Sequence, residues 1–195
     1  EDLNLNLSVN NSLLKNDHAI YNPLADLKIY FPNATIYPIL IGQKVSLSSL
    51  DELINLLTPQ CKFDCLLVAS VDFSHYLPAT LAHVHDTYTK KILNNFEIDK
   101  IDSLEVDSPQ SLYIIEKFAL QDKAIKFNLF AHTNSGVIAS NPDIETTTHF
   151  FASYTHGQSK KITSHTSVSV PVNLNRFENQ NTLGDRFFHG TDEFI

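Results

Sequence analysis

Within Ser70-Val71-Asp72-Phe73-Ser74-His75-Tyr76 a carboxylate and an imidazole stand three residues apart, directly after the apolar run Leu66-Leu67-Val68-Ala69. His titrates near neutrality, and a nearby carboxylate fixes its tautomer and holds its proton, so Asp72 and His75 are the candidate orienting group and acid/base. The apolar run reads as a buried strand, Asp64 to Val71, and the crevice beyond a strand's carboxyl end is where α/β proteins place ligands. A second polar cluster, His132-Thr133-Asn134-Ser135-Gly136, follows a strand expected to end at Ala131 and is the second candidate segment.

Other chemistry is weaker. His83 and His85 sit two apart on an expected helix and point to different faces, so they cannot share a metal ion. The same pattern makes His83 and Asp86 an exposed pair, with His85 half-buried on the stripe Leu81, His85, Tyr88, Ile92, Phe96. Ser70 and Ser74 lack the glycine-flanked elbow of α/β-hydrolases. The glycines, Gly42, Gly136, Gly157, Gly184 and Gly190, are scattered singly, which gives no phosphate loop. Cys61 and Cys65 are too few for a disulfide framework and read as structural thiols, with Cys65 buried at the start of its strand.

The elements that must position these groups alternate. Ile20, Leu24, Leu27 and Phe31 predict a helix from His18 that ends before Pro32, with Asp17 ahead of it as a cap. Pro23 is tolerable there only near the first turn or at a bend. Ala34 to Ile41 reads as a short strand, and Ser49 with Glu52 offers a capping box for a helix through Leu57. After the strand at 64–71, Pro78 opens a helix to about Phe96. Asp107-Ser108-Pro109 caps another through about Leu120, and Ile125 to Ala131 and Thr147 to Tyr154 close the pattern as strands. The expected fold is an α/β layered sheet flanked by helices.

The chain has 195 residues, 43% of them hydrophobic and 18% charged, which suits one ordinary domain with additional segments. Its net charge of -8 and scattered lysines exclude a nucleic-acid surface, and no apolar run reaches the ~20 residues of a membrane span. Residues 1–158 read as the domain, 159–182 as a linker or edge segment, and 183–195 as an aromatic tail that opens a further unit. The lack of any Met and the Glu1-Asp2 start lead to the expectation of a piece cut from a longer protein.

The ordered set Asp17-His18-Ala19-Ile20, Ser70 to Tyr76, Asp107-Ser108-Pro109, His132 to Gly136 and Thr148-His149-Phe150-Phe151-Ala152 resembles the MEMO-like family, AmmeMemoRadiSam system protein B, over residues 10 to 156. The resemblance implies the fold of the class III extradiol dioxygenases, with a pocket lined by Asp72, His75, His18, Ser74, His132 and Asn134. In those dioxygenases the position matching His75 is the acid/base beside a non-haem iron.

The family's upstream Pro-His and Pro-x-His motifs have no counterpart here, the third-ligand position near Asn134 to Gly136 carries no strong ligand, and Tyr21 stands near the place of a family Glu. No metal ligands are therefore expected within this chain, and no cofactor for it alone; iron or copper belongs to a full-length parent. A sheet without its first strands exposes an edge, so a missing segment, another polypeptide or self-association is expected to complete it. Leu183-Gly184-Asp185-Arg186-Phe187-Phe188 faintly resembles the opening of a capsule-synthesis metallophosphatase-like domain, which implies an exported or surface-associated parent, whereas the family at large is cytoplasmic. The expectation of a different class is a binding module that holds a peptide or small ligand without a redox metal.

Overall fold

The computed structural model describes residues 11–61, 65–141 and 144–157. The expected linker at 159–182 and the aromatic tail at 183–195 lie outside the described residues. What is described is a mixed α/β arrangement in which two small two-stranded sheets are flanked by helices.

A short helix, α1 (Asn11–Asn16), leads into α2 (His18–Tyr30), whose first residue follows Asp17 in extended backbone. The helix stops where the Phe31 N–H bonds the Leu27 carbonyl and Pro32 follows, since a residue before proline leaves helical geometry. Pro23 lies deeper than the first turn, at the sixth helical position. The expected stripe is only half-buried: Ile20, Leu24 and Leu27 are partly covered, Phe31 is exposed, and only Ala19 is buried.

α3 (Leu47–Gln60) begins one turn earlier than its expected cap, because the Ser46 hydroxyl accepts from the Ser49 N–H at 3.2 Å. Its buried residues Leu50, Leu53 and Ile54 keep the i, i+3, i+4 spacing of a core-facing stripe. Cys61 and Cys65 are joined in a disulfide, contrary to the thiol reading, and Cys65 is exposed. A disulfide here closes a loop of few residues, which pairing counts based on whole frameworks do not anticipate.

Among the described residues neither expected early strand forms a ladder. Residues 34–41 leave Tyr37 81% and Leu40 42% exposed, and 65–71 run extended with Leu66 and Val68 exposed while Ala69 and Val71 are buried. β-branched composition suits a strand only where a neighbour takes up its backbone groups, and among the described residues none flanks these segments. The sheet partners lie elsewhere. β1 (Leu77–Pro78) pairs antiparallel with β3 (Glu145–Thr146), and β2 (Lys126–Asn134) pairs antiparallel with β4 (Thr148–Thr155). In the second ladder Leu129 opposes Ala152 and Ala131 opposes Phe151, so Phe130 is an extra residue in a bulge.

α4 (Ala79–Asn95) follows Pro78 and ends at Phe96, which takes left-handed backbone at φ 53°. Its buried face is Ala82, Asp86, Thr89, Ile92 and Leu93, rotated by one residue from the expected stripe, so Leu81 and Tyr88 are exposed. A 3-10 turn at Ile98–Ser103 then leads to α5 (Pro109–Asp122), where the Ser108 hydroxyl accepts from the Ser111 N–H and Pro109 fills the first helical position. The short α6 (Ser135–Ile138) links β2 toward β3.

The core gathers Leu50 and Ile54 of α3, Val71 and Phe73 of the extended segment, Ile92 of α4, Ile101, Leu112 of α5 and Phe150 of β4. Phe73 and Phe150 stack with ring centroids 4.1 Å apart. That stack fastens the residue between Asp72 and Ser74 near the start of β4, which sets the position of the polar groups on either side.

Candidate functional site

The extended segment is held at its end by backbone bonds. The Phe73 N–H donates to the Thr148 carbonyl, the Thr148 N–H to the Ser74 carbonyl, each at 3.0 Å, and the Asp107 N–H to the Asp72 carbonyl at 3.1 Å. Asp72 is thereby fixed against both β4 and the loop before α5. The chain then bends sharply, and Tyr76 sits at φ 53°, an uncommon backbone for a bulky side chain that tends to cluster at functional sites.

These ties gather two carboxylates and two imidazoles. His75 Nε2 contacts an Asp107 carboxylate oxygen and lies 3.9 Å from Asp72 Oδ2, while Asp72 Oδ1 faces His149 Nδ1 at 3.0 Å. His75 Nδ1 lies 3.4 Å from the Thr147 hydroxyl. Asp72 is buried; His75 and Asp107 are partly open, with side chains 18% and 29% exposed. Burial holds the Asp72 carboxyl above its ordinary range, opposed by the hydrogen bond and charge of His149 and the charge of His75, while the charge of Asp107 pushes it further up. The alternation of acid and imidazole can take up and release a proton at the accessible His75.

Behind Ser74 lies a second network. Asp86 of α4 is fully buried; its Oδ1 accepts from the hydroxyls of Ser74 and Thr148, each at 2.8 Å, and its Oδ2 meets His132 Nε2 at 2.6 Å. His132 Nδ1 lies 3.3 Å from Lys90 Nζ, and the His132 ring meets Phe150 edge-on at 4.8 Å. The expectation of Asp86 as an exposed partner of His83 is thus overturned: His83 stays exposed and Asp86 points inward to three donors. His85 is half-buried as expected, and it pairs with Glu105.

Of the expected pocket residues, Asp72 and His75 come together directly, and Ser74 and His132 meet at Asp86. Asn134 closes strand β2, which runs three residues past its expected end, and its side-chain oxygen accepts from the Val137 N–H at 2.8 Å to cap α6. His18 is exposed at the start of α2. Asp107, Asp86 and His149 complete the networks; the first had been read as the flank of a helix cap, and His149 had entered only within a motif.

Asp72, His75 and Asp107 each offer a ligand atom, all within 4.8 Å of one another. That set supplies one imidazole and two carboxylates rather than the two histidines and one carboxylate of a facial non-haem iron site. Asn134 has its side-chain oxygen committed to a helix cap. The described residues therefore do not fit the implied iron, and no step is derived through it.

No protein-family model, curated protein or solved structure matches the chain. The described residues contain no helix long and apolar enough to cross a membrane.

Proposed function

We propose that the chain is part of a MEMO-like (AmmeMemoRadiSam system protein B) domain whose dioxygenase-like pocket is built on Asp72 and His75. One observation carries this reading: four of the five segments that bear the resemblance, 70–76, 107–109, 132–136 and 148–152, contribute side chains to two neighbouring polar networks tied by the backbone bonds of Phe73, Ser74 and Thr148, whereas His18 of the fifth is exposed. Buried polar groups find partners in any fold, so it is the identity of the segments that meet, more than their pairing, that supports the reading. In this reading His75 is the acid/base, Asp107 orients its ring, and Asp72 holds a buried carboxyl beside it. Iron or copper belongs to a parent that also carries the upstream histidines.

The test is metal content by plasma mass spectrometry on such a parent, prepared without air, beside this chain, together with oxygen uptake using catechol as the probe. About one iron or copper per parent chain, none in this chain, and uptake lost in His75→Ala are the expected results. A metal-free parent inert toward catechol overturns the reading. The use of Asn134 as a helix cap favours a second reading in that case, a module that binds a peptide or small ligand in the same pocket with an affinity indifferent to chelator.

A further inference from the structure

Asp86 is a buried carboxylate with three donors, drawn from three separate parts of the chain: Ser74 in the pocket segment, His132 on β2 and Thr148 on β4. Ser74 precedes His75, and Thr148 precedes His149. One carboxylate therefore grips the residue next to each of the two imidazoles that flank Asp72.

The third contact fixes a protonation pattern. A carboxylate only accepts and a lysine ammonium only donates, so His132, lying between Asp86 and Lys90, must carry its proton on Nε2 and accept at Nδ1. Lys90 stands one helical turn after Asp86 on α4, and its ammonium also lies 5.6 Å from the centre of the Phe150 ring. Carboxylate, imidazole and ammonium form one directional chain around the ring that stacks on Phe73.

We propose that Asp86 is the positioning residue of the Asp72–His75 pocket: through Ser74 and Thr148 it sets the segments that carry His75 and His149, and through His132 it imposes the imidazole tautomer that receives Lys90. The inference rests on the pocket reading above for its functional meaning. Its geometry is testable without any activity.

The experiment is nitrogen NMR of the histidine rings at a pH where imidazoles are neutral, on the wild type and on Asp86→Asn, Ser74→Ala and Thr148→Val. The wild type is expected to show His132 protonated at Nε2. In Asp86→Asn the side-chain oxygen still accepts from Ser74 and Thr148, but the amide N–H₂ faces His132. The tautomer should then invert to Nδ1–H, which sets donor against donor at Lys90, while the ring signals of His75 and His149 stay in place because both hydroxyl grips remain. Asp86→Glu, which keeps an acceptor for His132, should restore the Nε2–H form.

A wild-type His132 protonated at Nδ1 overturns the proposal, as does a folded Asp86→Asn protein whose His132 keeps the Nε2–H form. Ser74→Ala and Thr148→Val each remove one donor while leaving Asp86 in place, and each should shift the ring signals of the adjacent imidazole; unchanged signals in a folded variant overturn it equally. Failure of the pocket reading looks different: the tautomer inverts as expected, while His75→Ala leaves the parent's catechol-dependent oxygen uptake intact.

Discussion

Replacing Glu116 with Gln should make the protein more stable above neutrality and less stable in mild acid, with the two curves crossing. Glu116 on α5 is fully buried; its Oε1 lies 2.8 Å from the Tyr154 hydroxyl, and its Oε2 has no hydrogen-bond partner among the described residues. Burial raises its carboxyl from 4.5 to about 7 against the opposing Tyr154 hydrogen bond, and the same burial, with the charge of Glu116, pushes the Tyr154 phenol upward. The protonated form suits the site well, because a Glu116 O–H can donate to Tyr154, whose own O–H can donate to the Leu93 carbonyl 3.1 Å away.

The folded state therefore holds a proton that the unfolded chain releases between pH 4.5 and about 7. Its stabilising effect is complete below 4.5 and is lost as pH rises through about 7. Each tenfold change in proton affinity is worth about 1.4 kcal/mol, so the wild type should lose roughly 3 kcal/mol across this window from Glu116. Gln removes that loss and adds a buried amide N–H₂ without a ready acceptor, at a cost of about 1 to 2 kcal/mol at every pH. The variant should be less stable by about that amount at pH 4.5 and more stable by about 1 to 2 kcal/mol at pH 8. Urea unfolding followed by circular dichroism across that range reads the difference directly. A difference between the two proteins that stays flat with pH would refute the assignment of a buried, neutral Glu116.

His75→Ala removes a partly open loop side chain and should cost about 1 kcal/mol while circular dichroism stays native; a chain unfolded at 25 °C would make His75 structural and sink its acid/base role. Gly136→Ala places a Cβ 2.5 Å from Thr146 Cγ2 and 3.0 Å from the Asn141 carbonyl oxygen, so the thermal midpoint should fall by several degrees, about 1 to 3 kcal/mol of overpacking, and an unchanged midpoint would contradict that contact. Ser108→Ala should lose about 1 kcal/mol of capping at α5, measured by the urea midpoint; no loss would show that the hydroxyl is dispensable there. Thiol titration of the unfolded protein should find no free Cys61 or Cys65 until a reductant is added, and reactive thiols beforehand would contradict the disulfide.

Helices announced themselves through their ends. Ser108-Pro109, Pro78 and the Phe31-Pro32 step are local chemistry, and the observed α5, α4 and α2 begin or stop within a few residues of the reading. Among the described residues the strands expected before Asp72 pair with nothing, because a ladder depends on a neighbour that no local pattern reports, and composition alone does not distinguish a paired strand from a segment resting one face on a core. Asp72 and His75 were legible because they stand together at the end of an apolar run. Asp86 was not. Helical spacing put it near His83, and a charged residue on α4 is ordinarily solvated, so only the donors arriving from Ser74, His132 and Thr148 reveal why that face is buried. Glu116 hid for the same reason, as a charged position within an apolar stripe.

The extra residue at Phe130 also makes the site sensitive to counting. Before it, Phe127 and Leu129 oppose Tyr154 and Ala152; after it, His132 and Asn134 oppose Phe150 and Thr148, so odd positions give way to even ones on the same side of the ribbon. Had Phe130 taken a regular place opposite Phe151, His132 would fall opposite His149 and turn away from Asp86. Parity along β2 is thus part of the chemistry: inserting one residue between Lys126 and Ala131 would reverse the face of either the strand's beginning or its end, whereas removing Phe130 would leave both in place. A one-residue insertion, more than substitution, is what this ribbon should tolerate least.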